Sequence, residues 1–193
     1  MLCFIDKGYW KWLVEGFRNS LVITFFAIII GFVFGVVLAT IRSSYDKNEE
    51  TLKLRGGLGY WLLKIVNAIS KIYITVVRGV PVVVQLMLWY FVILVSQDNG
   101  VIVAIVAFGF NSAAYVAEIF RGGIMSVDNG QFEAGRSLGF GYVRTMIHII
   151  IPQAVKTVLP TLLNEVIALL KETSVAGYVG IMDLTKAGDL IRG

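Results

Sequence analysis

Six polar residues in a very apolar chain offer the groups that bind a charged small molecule. Asn111 lies about ten residues into an apolar run, which is about 15 Å deep at 1.5 Å per residue. Thr173 and Ser174 follow another run, where a broken helix would expose backbone dipoles that hold a zwitterion. Because polar groups within membrane spans mark substrate pathways, we interpret six residues as candidate substrate-binding groups. They are Asp98, Asn111, Lys171, Glu172, Thr173 and Ser174.

The same kinds of residue also have structural interpretations, which the sequence leaves open. Lys171 and Glu172 can neutralise each other, and Asn111 can form a hydrogen bond between two helices. Glu118 and Arg121 are three residues apart, so we expect an ion pair on one helix face near the membrane boundary. A purely structural membrane protein, however, would not need several polar residues within its spans.

The composition excludes most other kinds of site. With 57% hydrophobic and 16% charged residues, the chain is far from a soluble domain. The net charge of +4 lies near the ends of apolar runs, which indicates membrane orientation and no nucleic-acid partner. A single cysteine, Cys3, and a single histidine, His148, leave no disulfide and no metal site. No phosphate-binding loop, Gly-x-Ser-x-Gly or His-Glu-x-x-His occurs, which disfavours a membrane-embedded enzyme.

Four apolar runs predict membrane spans, each near the ~20 residues that a bilayer requires. Gly31 and Gly35 in the first run form a small-xxx-small face that permits close helix packing, unless they are merely tolerated glycines. Pro152 and Pro160 are expected to bend the last run. The stretch 58–77 has lysines and an asparagine on one face, which predicts an interfacial amphipathic helix rather than a span. The predicted spans are 21–41, 82–96, 101–119 and 149–170.

The distribution of lysine and arginine predicts the orientation of these spans. A predicted loop at 42–57 and the segment 121–156 hold most of these residues, so both are expected in the cytoplasm. The turn 97–100 holds none, so we expect that turn and the N-terminus outside. The last residues, 175–193, are too polar and too interrupted by glycine to form a span.

The polar segment 128–152 predicts a helix, a glycine turn and a second helix. Asp128 or Asn129 is a suitable helix N-cap. Gly139 and Gly141 are suitable helix C-terminal signals, and a second helical run begins near Tyr142.

This segment resembles the cytoplasmic signature of permease subunits of ATP-binding cassette (ABC) importers. The family pattern is Glu-Ala-Ala, three variable residues, Gly, nine variable residues, Ile, one variable residue and Leu-Pro. Gly135 and Ile151 depart from it, in place of Ala and Leu, and both keep small or apolar character. The residues in register are Glu133, Ala134, Gly139, Ile149 and Pro152.

Further stretches are similar to the polar amino acid branch of this family, the histidine, arginine and glutamine permeases. The resemblance extends over most of the chain and implies an all-α membrane protein with the type I ABC importer transmembrane fold. It implies about five spans per subunit in one permease domain, residues 1–193, and we expect the fifth span to be missing from this sequence. The similar stretches include Arg78-Gly79-Val80-Pro81, Val84-Gln85-Leu86 and Leu170-Lys171-Glu172-Thr173-Ser174.

The resemblance also implies partners. A separate cytoplasmic ATPase binds ATP and Mg, so this chain has no cofactor and is not an enzyme. A solute-binding protein, extracellular or periplasmic, delivers the substrate, and a second permease, identical or similar, completes the pathway in the lipid of a prokaryotic cell membrane. The signature helix rests in a groove of the ATPase, where Leu138 and Phe132 provide apolar contacts and Glu133 and Arg136 form ion pairs. The implied coupling residues are Glu133, Ala134, Arg136, Leu138 and Gly139.

For the cargo we expect a polar amino acid, and the acidic residues favour a cationic one such as arginine, lysine or histidine. A cationic side chain needs a carboxylate partner, because burying an unpaired charge is costly. Glu172 and Asp98 are the candidates for that role. If these acids instead pair with Lys171, Arg121 and the partner subunit, the site is neutral and suits glutamine. The acidic residues in or beside the spans are Asp98, Glu118, Glu165 and Glu172.

Overall fold

The computed structural model describes residues 8–192, apart from the side chains of 48–52, 54 and 55. The predicted external N-terminus and Cys3 lie outside this range. Regular structure in the described part is helical, which confirms the predicted all-α class. The helices are α1 (Tyr9–Arg55), α2 (Leu58–Gly79), α3 (Val82–Leu88), α4 (Gly100–Met125), α5 (Asn129–Ser137), α6 (Tyr142–Thr145), α7 (Ile151–Glu172) and α8 (Leu184–Arg192). A π-helical turn, Trp89–Ile93, extends α3, a second, Met146–Ile150, joins α6 to α7, and a 3-10 segment, Thr173–Val179, follows α7.

Four helical stretches in the described residues are long and apolar enough to cross a membrane, which is the number predicted. Three of them contain the predicted spans 21–41, 101–119 and 149–170. The helix continues through Pro160, and the π-helical turn ends at Ile150, two residues before Pro152, which has no backbone N–H to donate. The four stretches are Tyr9–Lys47, Leu58–Gly79, Gly100–Met125 and Tyr142–Val179.

The second crossing differs from its prediction. The helix α2, predicted to be only interfacial, is itself long and apolar enough to span, whereas the helical stretch Val82–Ile93 is shorter. The Tyr73 hydroxyl in α2 donates to the carbonyl of Phe110, and the Tyr90 ring lies beside Gly100 at the start of α4. The helices α2 and α3 therefore lie one after the other along α4. The helical backbone is interrupted at Pro81, which has no N–H to continue the hydrogen bonds of α2.

The predicted loop at 42–57 is wrong, because α1 continues as a helix to Arg55. At 47 residues the helix is about 70 Å long, well beyond the ~30 Å hydrocarbon core of a bilayer. The sequence after Ile41 is polar but contains no glycine or proline before Gly56. A helix satisfies its own backbone groups, so polarity alone does not end it. Gly56 and Gly57, with φ of 61° and 93°, do.

The helix α1 packs mainly against α4 through small residues, as predicted for Gly31 and Gly35. A Cβ at Gly31 would lie 2.9 Å from the Cβ of Ser112, and one at Gly35 would lie 2.6 Å from the Cβ of Val116. Both distances are too short for a side chain. Glycine thus allows the close helix approach on which packing in lipid depends.

The two ends of the helix pair α1–α4 are held by different contacts. At one end, the Asn19 side chain donates to the carbonyl of Met182, just before α8. At the other end, Arg42 forms an ion pair with Glu118. A buried cluster near the first end joins α1, α3, α4, the end of α7 and the segment after it. Its buried members are Ile23, Ala27, Leu86, Ala104, Ala107, Phe108, Leu169, Ala176, Val179 and Ile181.

Candidate functional site

A polar cleft lies between α4, α7 and the end of α2. Its larger part has a volume of about 560 Å³. An adjoining part of about 470 Å³ shares Arg78, Tyr115 and Glu118 with it and extends to Arg42 and Arg121. The polar side chains lining the larger part include Arg78, Tyr115, Glu118, Thr161, Asn164 and Glu165.

The helix α7 presents its polar face to this cleft. Thr157, Thr161, Asn164 and Glu165 recur at helical spacing and line it. The apolar residues of α7 are exposed on the opposite side, where lipid would cover them in a membrane. They include Ile151, Val155, Leu159, Leu163 and Ile167.

Arg78 reaches the cleft because α2 ends beside it. The amide nitrogen of Gln85 donates to the carbonyl of Val77 at 2.7 Å and to that of Val80 at 2.8 Å, which satisfies carbonyls left free at the helix end. The Asn111 amide in turn donates to Gln85 Oε1 at 3.3 Å. The guanidinium of Arg78 lies 5.3 Å from the centre of the Tyr115 ring, a cation–π distance.

Four charges at one end of the cleft, the end that the sequence predicts to face the cytoplasm, form one ion-pair network. Arg42 Nη1 lies 2.5 Å from Glu118 Oε1, and Arg121 Nη2 lies 3.0 Å from Glu118 Oε2. Arg121 Nη1 also lies 3.3 Å from Asp46 Oδ2. The predicted Glu118–Arg121 pair is therefore present. The two acids and two arginines balance in charge, so this network leaves no net charge for a ligand.

Glu165 and Arg78 are differently placed, because neither forms an ion pair within the described residues. The Ser112 hydroxyl donates to Glu165 Oε1 at 2.8 Å, and the carboxylate is partly buried. Glu172 lies seven residues further along α7, so about 10.5 Å along the same face. The Glu172 carboxylate has no ion-pair partner either, and unlike Glu165 it has no side-chain hydrogen bond in the part of the chain that is described.

The structure separates the six residues predicted to bind substrate. Asn111 and Thr173 are each only 2% exposed, and their side chains bond to Gln85 and to the Leu170 carbonyl, so neither lines the polar cleft. Ser174 lines a different cleft of about 360 Å³ beside α8. Lys171 and Asp98 are exposed, and Asp98 stands in the turn before α4. Glu172 and Lys171 lie seven residues after the cleft residues Glu165 and Asn164, so both fall on that face of α7, but neither lines the cleft.

The predicted signature segment has the expected helix, turn and helix. Asp128 caps α5 by accepting from the backbone N–H of Gly130 at 2.6 Å. Gly139, at φ 79°, adopts the left-handed conformation that ends the helix. The exposed coupling candidates form a surface that is free for a partner. They are Glu133, Ala134, Arg136, Leu138 and Gly139, with Leu138 71% exposed.

Phe132 does not belong to that exposed surface. Its ring packs against a cluster containing Val127, Ile150 and Ala154, and it stacks with Tyr142 at 6.5 Å between centroids. It therefore holds α5 against the rest of the chain, and the predicted apolar contact with an ATPase falls to Leu138.

Residues 56–192 match the family of binding-protein-dependent transport system inner membrane components. The chain belongs to this family. As a permease subunit of an ABC importer for amino acids, it is a multi-pass protein of a bacterial cell membrane and not an enzyme. Importers of this family work with an ATPase and a substrate-binding protein.

Individual relatives carry amino acid transport names. The chain is 32% identical to the putative glutamine transport system permease protein GlnP of Rickettsia prowazekii, over 99% of this chain and 82% of that protein. It is 35% identical to the arginine transport system permease protein ArtQ of Bacillus subtilis, over 90% of this chain and 73% of that protein.

The solved structures agree on the fold. A crystal structure of an amino acid ABC transporter with histidines matches with a TM-score of 0.80 and 34% identity, over 98% of this chain and 81% of that chain. An inward-facing structure of the MetNI methionine ABC transporter matches with a TM-score of 0.70, over 91% of this chain and 78% of that chain. At 22% identity, the second shows the fold alone. The predicted type I ABC importer transmembrane fold is confirmed.

Sequence reasoning did not single out Arg78, Tyr115, Thr161 and Asn164 as cleft residues. A signal was available for α7, where four polar residues recur at helical spacing opposite an apolar face. Arg78 stood in the stretch Arg78-Gly79-Val80-Pro81 that resembles the family, but its place in the cleft depends on contacts between distant helices.

Proposed function

We propose that this permease subunit carries a cationic amino acid, with arginine, lysine or histidine as the cargo. The observation that supports this choice is the charge left after the ion-pair network is complete. Arg78 and Glu165 in the larger part of the cleft, and Glu172 further along α7, have no ion-pair partner in the described residues. Two exposed lysines are unpaired there as well, Lys71 in the adjoining part of the cleft and Lys171 beside Glu172. A cationic amino acid has one carboxylate and two cationic groups, which can pair with Arg78, Glu165 and Glu172.

The positions of these groups suggest their roles. Arg78 is fixed over Tyr115 and offers a guanidinium for the α-carboxylate of the cargo. Glu165, oriented by Ser112, is the partner of the α-ammonium group. Glu172, further along the same face of α7, is the partner of the cationic side chain. Glutamine would leave one of the two carboxylates unpaired, which is costly away from water.

The other predicted substrate residues have supporting roles in this proposal, beside the three groups that pair with the cargo. Asn111 supports the end of α2 through Gln85 and so fixes Arg78. Thr173 and Ser174 mark the change from α-helix to 3-10 helix next to Glu172. Asp98 and Lys171 are exposed, and they meet the cargo on its way to the cleft.

The proposed assembly has two permease subunits, identical or closely similar, and cytoplasmic ATPase subunits that bind ATP and Mg. The exposed surface of α5, with Glu133, Arg136 and Leu138, is the proposed ATPase contact. It couples ATP hydrolysis to movement of the helices that line the cleft.

Direct binding tests the cargo at the level of this subunit. The permease–ATPase complex in detergent, without its binding protein, is titrated with arginine, lysine, histidine and glutamine by calorimetry. Arginine or another cationic amino acid should bind, and Glu172→Gln should weaken it about tenfold, equivalent to ~1.4 kcal/mol, a small value for a charged hydrogen bond. Glu15→Gln, an exposed carboxylate far from the cleft, is the matched control.

Uptake by liposomes that contain the complex is the second test of the cargo. Labelled arginine is imported by the complex with its binding protein, and unlabelled amino acids compete. Glutamine that binds and competes as well as arginine would show that the cleft is neutral, and the cationic assignment would be wrong.

A further inference from the structure

Two adjacent residues of α1 contact both the polar cleft and the helix α5. Asp46 Oδ2 lies 3.3 Å from Arg121 Nη1, and Arg121 is paired with Glu118 in the cleft wall. Lys47 Nζ donates to Asn129 Oδ1 at 2.6 Å, at the first residue of α5. The cleft and the exposed helix α5 are therefore connected through neighbouring residues of one continuous helix.

Lys47 contacts α5 at a second point. Its ammonium lies 4.7 Å from the centre of the Phe132 ring, a cation–π distance. Phe132 also packs on the Ile150 cluster, so Lys47 lies where α5 meets the helices behind it. The other side-chain hydrogen bond described between α5 and a different helix joins Gln131 to Gln153 at a longer distance, 3.4 Å.

The ion-pair network gives a physical reason for movement at this point. Arg121 is shared between Glu118 and Asp46, which lie on α4 and α1. A charged cargo entering beside Glu118 competes for its carboxylate or for the two arginines around it. Any change in the sharing of Arg121 alters the force on Asp46, and the helical backbone carries that change to the next residue.

We propose that Lys47 is a positioning residue that couples the charge state of the polar cleft to the placement of α5. This inference rests on the proposed role of α5 as the ATPase contact. It does not depend on which amino acid is carried. The effect is a coupling free energy between two sites, carried by a named set of contacts.

The ratio of the ATPase rate with loaded binding protein to the rate with empty binding protein tests this role. The complete complex of permease, ATPase and binding protein is reconstituted, and ATPase rates are measured with empty and with loaded binding protein. The loading amino acid is whichever of arginine, lysine, histidine and glutamine stimulates the wild type most. Lys47→Ala should lower the ratio of loaded to unloaded rate at least about fivefold, the low end of coupling between sites.

Matched variants separate positioning from folding. Lys47→Arg keeps a cation with hydrogen-bond donors and should keep most of the ratio, and Lys53→Ala, on an exposed side chain further along α1, should leave it unchanged. Asp46→Asn should lower the ratio as Lys47→Ala does, because it weakens the other half of the connection.

The outcomes decide between the interpretations. A wild-type ratio retained in Lys47→Ala would overturn the proposal. Loss of ATPase co-purification with Lys47→Ala would also overturn it, because Lys47 would then only maintain the fold of α5. Failure of arginine to bind or stimulate would reject the cationic cargo and leave this test intact.

Discussion

The closest approach of α1 to α4 at Gly35 provides a sharp test of the packing. In Gly35→Ala the new Cβ would lie 2.6 Å from both Cβ and Cγ1 of Val116, and 3.0 Å from the carbonyl oxygen of Ala113. Carbon atoms attract best at about 3.5–4.0 Å. The two helices must therefore separate by about 1 Å, or Val116, which is 0% exposed, must leave its rotamer.

The expected cost follows from these distances. Extra methyl groups in a close-packed core cost about 1–3 kcal/mol. Replacing a helical glycine by alanine also returns up to about 1 kcal/mol of helix propensity. A second variant, Gly188→Ala, removes this gain from the comparison, because Gly188 lies in the middle of α8 and a Cβ there meets no atom within 4 Å.

Thermal unfolding of the two variants in the same detergent measures the difference. A clash of about 2 kcal/mol corresponds to a Tm difference of about 4–8 °C in a chain of this size, with Gly35→Ala the less stable. Equal Tm values for the two variants would refute the close α1–α4 contact. Gly35→Ala should also lower transport, because α1 and α4 together hold the Arg42–Glu118 pair.

Three further predictions address the break after α2, the coupling surface and the orientation. Gln85→Leu leaves the Asn111 amide without its partner and should lower stability by about 1–3 kcal/mol, whereas adding Asn111→Leu should recover part of the loss in thermal unfolding. Glu133→Lys reverses an exposed charge on α5 and should abolish uptake at normal membrane levels of the protein; normal uptake would remove Glu133 from the coupling surface. Ser137→Cys in a Cys3→Ser background should react with an impermeant thiol reagent only after cells are opened, and labelling of intact cells would invert the topology.

Features set by neighbouring residues were predictable from the sequence. The cap at Asp128, the helix end at Gly139 and the Glu118–Arg121 pair each depend on residues within one or two helical turns. The packing role of Gly31 and Gly35 was predictable for a related reason, since four-residue spacing places both on one helix face.

The length of α1, the second crossing and the cleft were not predicted from local sequence patterns. The continuation of α1 to Arg55 was missed because polarity was read as a loop, although the chain has no helix-breaking residue before Gly56. The second crossing was misplaced because a lysine-bearing helix face was taken to exclude a span. The cleft itself joins Arg78 and Glu165, which are far apart in sequence and meet only after α2 ends at the break before Pro81.

The arrangement of charge in the cleft favours ligand binding over a structural role. A buried charge that serves only stability is expected to be paired, as Arg42, Arg121, Glu118 and Asp46 are.

Arg78 and Glu165 line the same cleft but do not form an ion pair with each other within the described residues. Each is instead held by a weaker neighbour, the Tyr115 ring for the guanidinium and the Ser112 hydroxyl for the carboxylate. Such contacts fix the direction of a charge without neutralising it, which is the arrangement that a charged substrate requires. Only Glu165 is partly buried, so its unpaired charge costs stability, whereas Arg78 is exposed and carries little such cost. A cationic group of the proposed cargo would recover the cost at Glu165.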